Sequence, residues 1–169
     1  MLKRLTTLLT IVLCLAGCAS VERVDAAGDV HALMMAIRDG DQTVFGAHVD
    51  RLALQLQIEG FLFERTRSVK LDDPMKGLAF ALAGRVAKAA SNTLLRPQTF
   101  HAAAEYYGYT PGQPVPGQLA IAGSLKPLDD GRVCVTRQKN GACLLTFARE
   151  AGAWKLVHFD GDPSELKLR

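Results

Sequence analysis

His101 and Glu105 lie four residues apart, a spacing that sets two metal ligands on one face of a helix. A metal site needs a third ligand and none is marked nearby, so a surface ion pair is the plainer reading. His158 alternates with Trp154 and Leu156 on one side of an expected strand, where a half-buried imidazole could act as a general base. A histidine with a satisfied hydrogen bond is again the plainer assignment. His48 and Asp50 fall at the junction of two expected helices, where Asp50 explains itself as an acceptor for orphan amides. His31 reads as a solvated residue of the first helical turn. Tyr106, Tyr107 and Tyr109 precede a proline-rich loop and would either meet a ligand or partner or pack that loop onto the helices. Cys134 and Cys143 fall on adjacent strands of one expected hairpin. A disulfide needs Cα atoms about 4.4–6.8 Å apart, so the turn length decides whether they meet. There is no nucleophile elbow, no phosphate-binding glycine loop, no paired-carboxylate motif and no Cys-x-x-Cys. No catalytic residue is assigned, no metal or cofactor is expected, and a non-enzymatic role is the expectation.

Cys18 is the residue with the clearest chemistry. It follows Leu15-Ala16-Gly17, at the end of an apolar run from Leu5 to Leu15 that starts behind Lys3 and Arg4. At about 1.5 Å of rise per residue that run is too short to cross a hydrocarbon core about 30 Å thick, and it has the pattern of a cleaved export signal. Leu-Ala-Gly-Cys resembles a lipobox. The resemblance implies diacylglycerol on the Cys18 sulfur, cleavage before Cys18 and acylation of the new amine. Each buried methylene adds about 0.8 kcal/mol of membrane affinity, so two or three chains anchor firmly. Ala19, where lipoproteins of the inner membrane commonly carry Asp, points by resemblance to the outer membrane, periplasmic face. The inner membrane is the lesser alternative.

Removing residues 1–17 leaves a single domain of about 150 residues, enough to bury about two-thirds of its unfolded surface. Loss of Lys3 and Arg4 lowers the net charge from +3 to about +1. No long basic run or basic stripe interleaved with aromatics is present, so nucleic acid is not an expected partner. Discarding Cys14 and lipidating Cys18 leaves Cys134 and Cys143, in a compartment that permits disulfides.

The elements that must position these residues follow from periodicity. After the signal (1–17) and a lipidated tether (18–28), a domain over 29–161 is expected, with a polar tail over 162–169. Val30, Leu33, Met34 and Ile37 predict a helix over 29–39 that Gly40 stops. Asp41 caps a short helix to Val49, and Asp50 caps a third to about Arg67. Leu52, Leu54, Leu56 and Ile58 alternate as in a strand, but Leu, Ala, Gln and Arg favour helix. Asp73-Pro74 opens a long helix to about Leu95, whose stripe of Met75, Leu78, Ala79, Leu82, Val86, Ala89 and Thr93 faces a thin polar stripe of Arg85, Lys88 and Asn92. Such a helix must be nearly enclosed by protein or face lipid or a ligand. A fifth helix runs from Pro97 to Gly108, followed by a loop of three prolines and three glycines to Gln118. Strands are expected over 118–125, 132–137, 142–149 and 153–159, turned at Asp129-Asp130-Gly131, Asn140-Gly141 and Ala151-Gly152. Five helices and then four strands make an α+β fold, N-terminal helices packed on a C-terminal antiparallel β-meander.

The stretch Ala36-Ile37-Arg38-Asp39-Gly40-Asp41, then Phe45, then His48-Val49-Asp50, resembles the opening of a bacterial family, domain of unknown function 2939. The apolar helix over 78–94 and Arg96-Pro97-Gln98-Thr99-Phe100 fill the places of two later family features. The resemblance spans roughly residues 29–107 and implies no activity and no catalytic residues. More loosely, helices before a bent sheet that ends in Phe147-Ala148-Arg149-Glu150-Ala151-Gly152-Ala153-Trp154-Lys155-Leu156-Val157 resemble the cone-shaped nuclear-transport-factor-2-like fold. That likeness implies an apolar pocket between helices and sheet.

Leu78, Leu82, Phe147, Trp154, Leu156 and His158 are the residues expected to line such a pocket. The function expected from all of this is a membrane-anchored periplasmic lipoprotein that binds an apolar ligand or lipid without catalysis. An envelope protein-interaction or assembly factor is the alternative, and a small enzyme using His158 comes third. Partners would be the membrane, through the acyl chains, and an apolar ligand or envelope protein.

Overall fold

A computed structural model describes residues 2–68, 73–106, 108–136 and 141–160, with side chains from Val21 onward apart from some positions in the third and fourth helices. Tyr107, the turn over 137–140 and the tail over 162–169 lie outside the described residues, as does the Cys18 side chain. Among the described residues six helices, α1 (Leu2–Asp39), α2 (Gln42–Ala47), α3 (Arg51–Ser68), α4 (Asp73–Leu94), α5 (Pro97–Tyr106) and α6 (Gln118–Ser124), precede four strands. The strands β1 (Leu125–Pro127), β2 (Val133–Thr136), β3 (Cys143–Glu150) and β4 (Ala153–Phe159) form an antiparallel meander in sequence order. The fold is α+β. Among the described residues no helix is long and apolar enough to cross a membrane.

The helix boundaries follow local chemistry. Gly40, at φ +71°, ends α1, and Asp41 N donates to Ala36 O at 2.9 Å across it, the six-to-one bond of a left-handed helix stop. Asp41 then accepts from Thr43 N and Val44 N to start α2, and Asp50 Oδ1 accepts from Leu52 N (2.9 Å) and Ala53 N (3.0 Å) to start α3. The alternation in α3 resolves as helix: Leu54 and Ile58 face the core, while Leu52 and Leu56 face out.

Two expectations are corrected and a third is narrowed to one of its alternatives. The segment over 18–28, expected as a tether ahead of a helix starting at Asp29, is part of α1, and Ala26 and Ala27 are fully buried. Alanine favours helix and its small side chain lets neighbours approach, so Gly28 is tolerated inside the helix at a cost of about 1 kcal/mol. Of the segment over 118–125, residues 118–124 form helix α6 rather than strand and only Leu125 opens β1; Gly117 precedes the helix and Ile121 is buried, with α6 packed on α1. Of the two expectations for the long apolar helix α4, enclosure by protein or a face toward lipid or a ligand, enclosure does not hold. The helix packs on α3 through small residues, Gly84, Ala87 and Ser91, while Met75, Leu78, Leu82 and Val86 are exposed. A side-chain carbon added at Gly84 would stand 3.3 Å from Glu59 Oε1, which shows how closely the two helices approach.

The core joins α1 (Val30, Leu33), α2 (Phe45), α3 (Leu54, Ile58), α6 (Ile121) and the inner sheet face (Val133, Phe147, Trp154, Leu156). Phe45 stacks edge-on against Phe100 of α5 with centroids 5.2 Å apart. Cys134 and Cys143 are joined by a disulfide with Cα atoms 5.5 Å apart. They are not directly opposed: Cys134 faces Thr146 and Cys143 faces Thr136, with a register shift between Val135 and Thr136. Closing so short a loop contributes about 2–3 kcal/mol on the chain-entropy model.

Two stability predictions follow. Replacing Asp50 by Ala removes an acceptor shared by two α3 amides and lowers unfolding stability in urea by about 1 kcal/mol, while Asp50→Asn retains most of it. The β3–β4 turn places Ala151 at φ +50° before Gly152 at φ +87°, the paired left-handed conformation of a two-residue hairpin that favours Asn-Gly. Ala151→Asn therefore raises the thermal midpoint, by about 1 kcal/mol of stability; an unchanged midpoint would contradict this.

Candidate functional site

The outer edge of β4 is where helices and sheet are locked together. His48-Val49-Asp50, between α2 and α3, runs parallel to β4: Leu156 N donates to His48 O (2.9 Å) and Asp50 N donates to Leu156 O (3.0 Å). Two turns on, the Gln57 amide takes both backbone groups of Phe159: its Nε2 donates to Phe159 O, and Phe159 N donates to its Oε1 at 3.2 Å. These bonds leave little of the edge strand open to pairing with another chain.

Two carboxylates of α1 complete the lock. Trp154 N donates to Asp29 Oδ2 (2.7 Å), and the Trp154 indole Nε1 donates to Asp25 Oδ2 (2.9 Å), which also holds Arg149 Nη1 at 3.2 Å. His48 Nδ1 lies 3.7 Å from Asp29 Oδ1 and 3.4 Å from Trp154 O. Trp154 is buried, so each of its donors must find an acceptor. Asp25 and Asp29, four residues apart on one helix face, supply them. Sequence reasoning missed this pair by placing Asp25 in a tether; the i, i+4 spacing of two carboxylates was the available signal.

Past this lock the helices and sheet part around an apolar cavity of about 490 Å³. Met34 and Ile37 of α1, Leu95 after α4, Phe100 of α5, Leu145 of β3 and Phe159 of β4 form its walls, and Val115 and Pro116 of the proline loop roof it. The loop is held down: His31 Nδ1 donates to Pro116 O (2.9 Å), so the partly exposed His31 also ties α1 to the loop. Polar groups gather at the rim. His101 stands edge-on to Tyr109 with centroids 5.6 Å apart, and Tyr109 Oη donates to Gln113 O at 3.3 Å. Arg38 also lines the cavity; its two hydrogen bonds to Asp39 (2.7 and 3.0 Å) hold the Asp39 carboxyl below its ordinary range and the guanidinium above its own. A second concavity, of about 620 Å³ and lined by Gln42, Arg51, Asn92, Arg96 and Gln98, is polar and open to solvent.

The six residues expected to line a pocket do not come together. Phe147, Trp154 and Leu156 are buried in the core, Leu78 and Leu82 are exposed on α4, and His158 faces out. The cause at His158 is a bulge. Phe147 pairs with Leu156 but Thr146 pairs with His158, so Val157 is an extra residue. Beyond it the alternation inverts, His158 turns outward and Phe159 turns to the cavity. The exposed imidazole lacks the enclosed setting that a catalytic reading required. His101 Nδ1 and Glu105 Oε1 are 3.6 Å apart, and among the described residues no three His, Cys, Asp or Glu side chains cluster to hold a metal.

A model of the family described as protein of unknown function (DUF2939) matches residues 12–103. The chain belongs to this family. The match covers α1 through most of α5, hence both α1 carboxylates and the His48-Val49-Asp50 segment, and stops short of the sheet. No curated protein and no solved structure matches the chain, and the likeness to the cone fold is not confirmed. In structural terms the family opening is the docking strip for β4: Phe45 fills the core, Val49 bridges to Leu156 and Asp50 caps α3.

Asp29→Ala leaves the buried Trp154 amide without its acceptor, a change that costs about 1–3 kcal/mol. Urea unfolding followed by Trp154 fluorescence should show the loss. A variant as stable as the parent would mean that the α1–β4 contact is incidental.

Proposed function

We propose that this chain is a lipoprotein anchored through Cys18 to the periplasmic face of the outer membrane, and that it holds an apolar small molecule or a lipid acyl chain in the cavity between helices and sheet. The observation that carries the binding reading is the cavity. Its volume, about 490 Å³, falls in the range of about 300–1,000 Å³ usual for small-molecule sites. Its walls are aliphatic and aromatic, and its polar groups stand at the rim, an arrangement that suits an apolar body with one polar end. The anchor reading rests on the lipobox-like Leu15-Ala16-Gly17-Cys18. Because α1 is helical from Leu2, cleavage before Cys18 would leave only about 12 Å of helix between the acylated residue and the buried Ala26. Such a protein would ride close to its membrane.

An envelope interaction or assembly role is the second reading, favoured by the exposure of Leu78 and Leu82.

Solvent extraction and mass spectrometry of protein purified from membranes provide the test. The expected result is a stoichiometric apolar molecule, together with an N-terminal peptide that starts at an acylated Cys18. Ala103 lines the cavity, and Ala103→Phe should lower the bound amount at least tenfold while leaving the N-terminal modification unchanged. A parent protein that yields no bound molecule would overturn the binding reading; a retained signal segment or an unmodified Cys18 would overturn the anchor.

A further inference from the structure

The α4 face turned away from the protein has a chemistry of its own. Met75, Leu78, Leu82 and Val86 are 55, 56, 44 and 52% exposed. They follow one another at helical spacing along about 16 Å of one side. From Pro74 to Ala104 the chain carries Lys76, Arg85, Lys88 and Arg96 and no carboxylate. Arg85, three residues from Leu82, lies at the margin of the stripe, and among the described residues neither Arg85 nor Lys88 makes an ion pair. Arg51 and Arg96 line the open groove at the end of α4.

We propose that α4 lies in the surface of an anionic lipid bilayer, its apolar stripe among the acyl chains and its basic residues at the headgroups. An apolar stripe with only cationic margins is the pattern of a helix that lies in an interface plane, where long basic side chains reach up to the headgroups. A second copy of the chain fits the face less well. Four half-exposed side chains offer far less than the about 800 Å² per partner of a stable interface. A symmetric pairing would also gather both copies of Arg85 and Lys88 at one interface, with no carboxylate between Pro74 and Ala104 to pair them. The proposal does not rest on the occupant of the cavity or on Cys18.

The test reads the depth of one residue, so that attachment by any N-terminal anchor does not decide it. The full chain carrying Leu82→Trp is reconstituted in vesicles of phosphatidylcholine, or of phosphatidylcholine with phosphatidylglycerol, containing acyl-brominated lipid. Buried Trp154 is the only native tryptophan and supplies both the background and a reference for folding. The expected result is quenching at least twofold greater than in the parent protein in the anionic vesicles, lost when Arg85→Glu and Lys88→Glu are added and reduced in the neutral vesicles. Quenching no greater than the parent's would overturn the proposal. If the label at position 82 were instead shielded in a concentration-dependent dimer or by a captured protein, the face would belong to that partner and the proposal would likewise fall.

Discussion

The arrangement depends on how β4 is held at its outer edge. A four-stranded meander leaves that edge with unpaired amides and carbonyls, and nothing in the sheet itself tells the helices where to sit. The junction between α2 and α3 answers both needs by pairing its backbone with Leu156, Gln57 pairs with Phe159, and two carboxylates of α1 take the buried donors of Trp154. Buried polar groups without partners are costly, so these bonds fix position as much as they add stability. The helices and sheet are tied along one line and are free to diverge beyond it, and the apolar cavity lies where they diverge.

A one-residue irregularity decides which β4 side chains reach that cavity. Without the bulge at Val157, strict alternation would carry the inner face on from Trp154 and Leu156 to His158, and Phe159 would point away. With it, Phe159 turns inward as a wall and takes the Gln57 amide on its backbone. The polar rim comes from separate elements, Arg38 from the end of α1, His101 from α5 and Tyr109 from the loop, so no short motif marks it.

Much of the fold was legible from local signals. Gly40, Asp41 and Asp50 are stops and caps whose chemistry is confined to a few residues, and the turns at Asp129-Asp130-Gly131 and Ala151-Gly152 set the strand boundaries. What escaped depends on packing between distant segments. The apolar stripe of α4 was readable, but not that the small residues Gly84, Ala87 and Ser91 would form the packing face, because close approach to α3 rewards small size rather than hydrophobicity. The helix over 118–124 was hidden by residues that suit either state until Ile121 meets α1. The expected pocket failed for a related reason. Phe147, Trp154 and Leu156 are inward-facing as their alternation suggests, but the core fills the space in front of them, and the cavity opens beside residues such as Leu145, Phe100 and Met34.

The cavity, and not the core or the α4 face, is where we propose that an apolar molecule is held. A titration of isotopically labelled protein with a medium-chain fatty acid below its micelle concentration, followed by NMR, addresses this directly. Saturable shifts are expected at Phe100, Leu145, Val115 and Phe159, with the Trp154 indole N–H held where Asp25 keeps it. Shifts confined to Leu78, Leu82 and Val86, or no saturable shift at all, would contradict it.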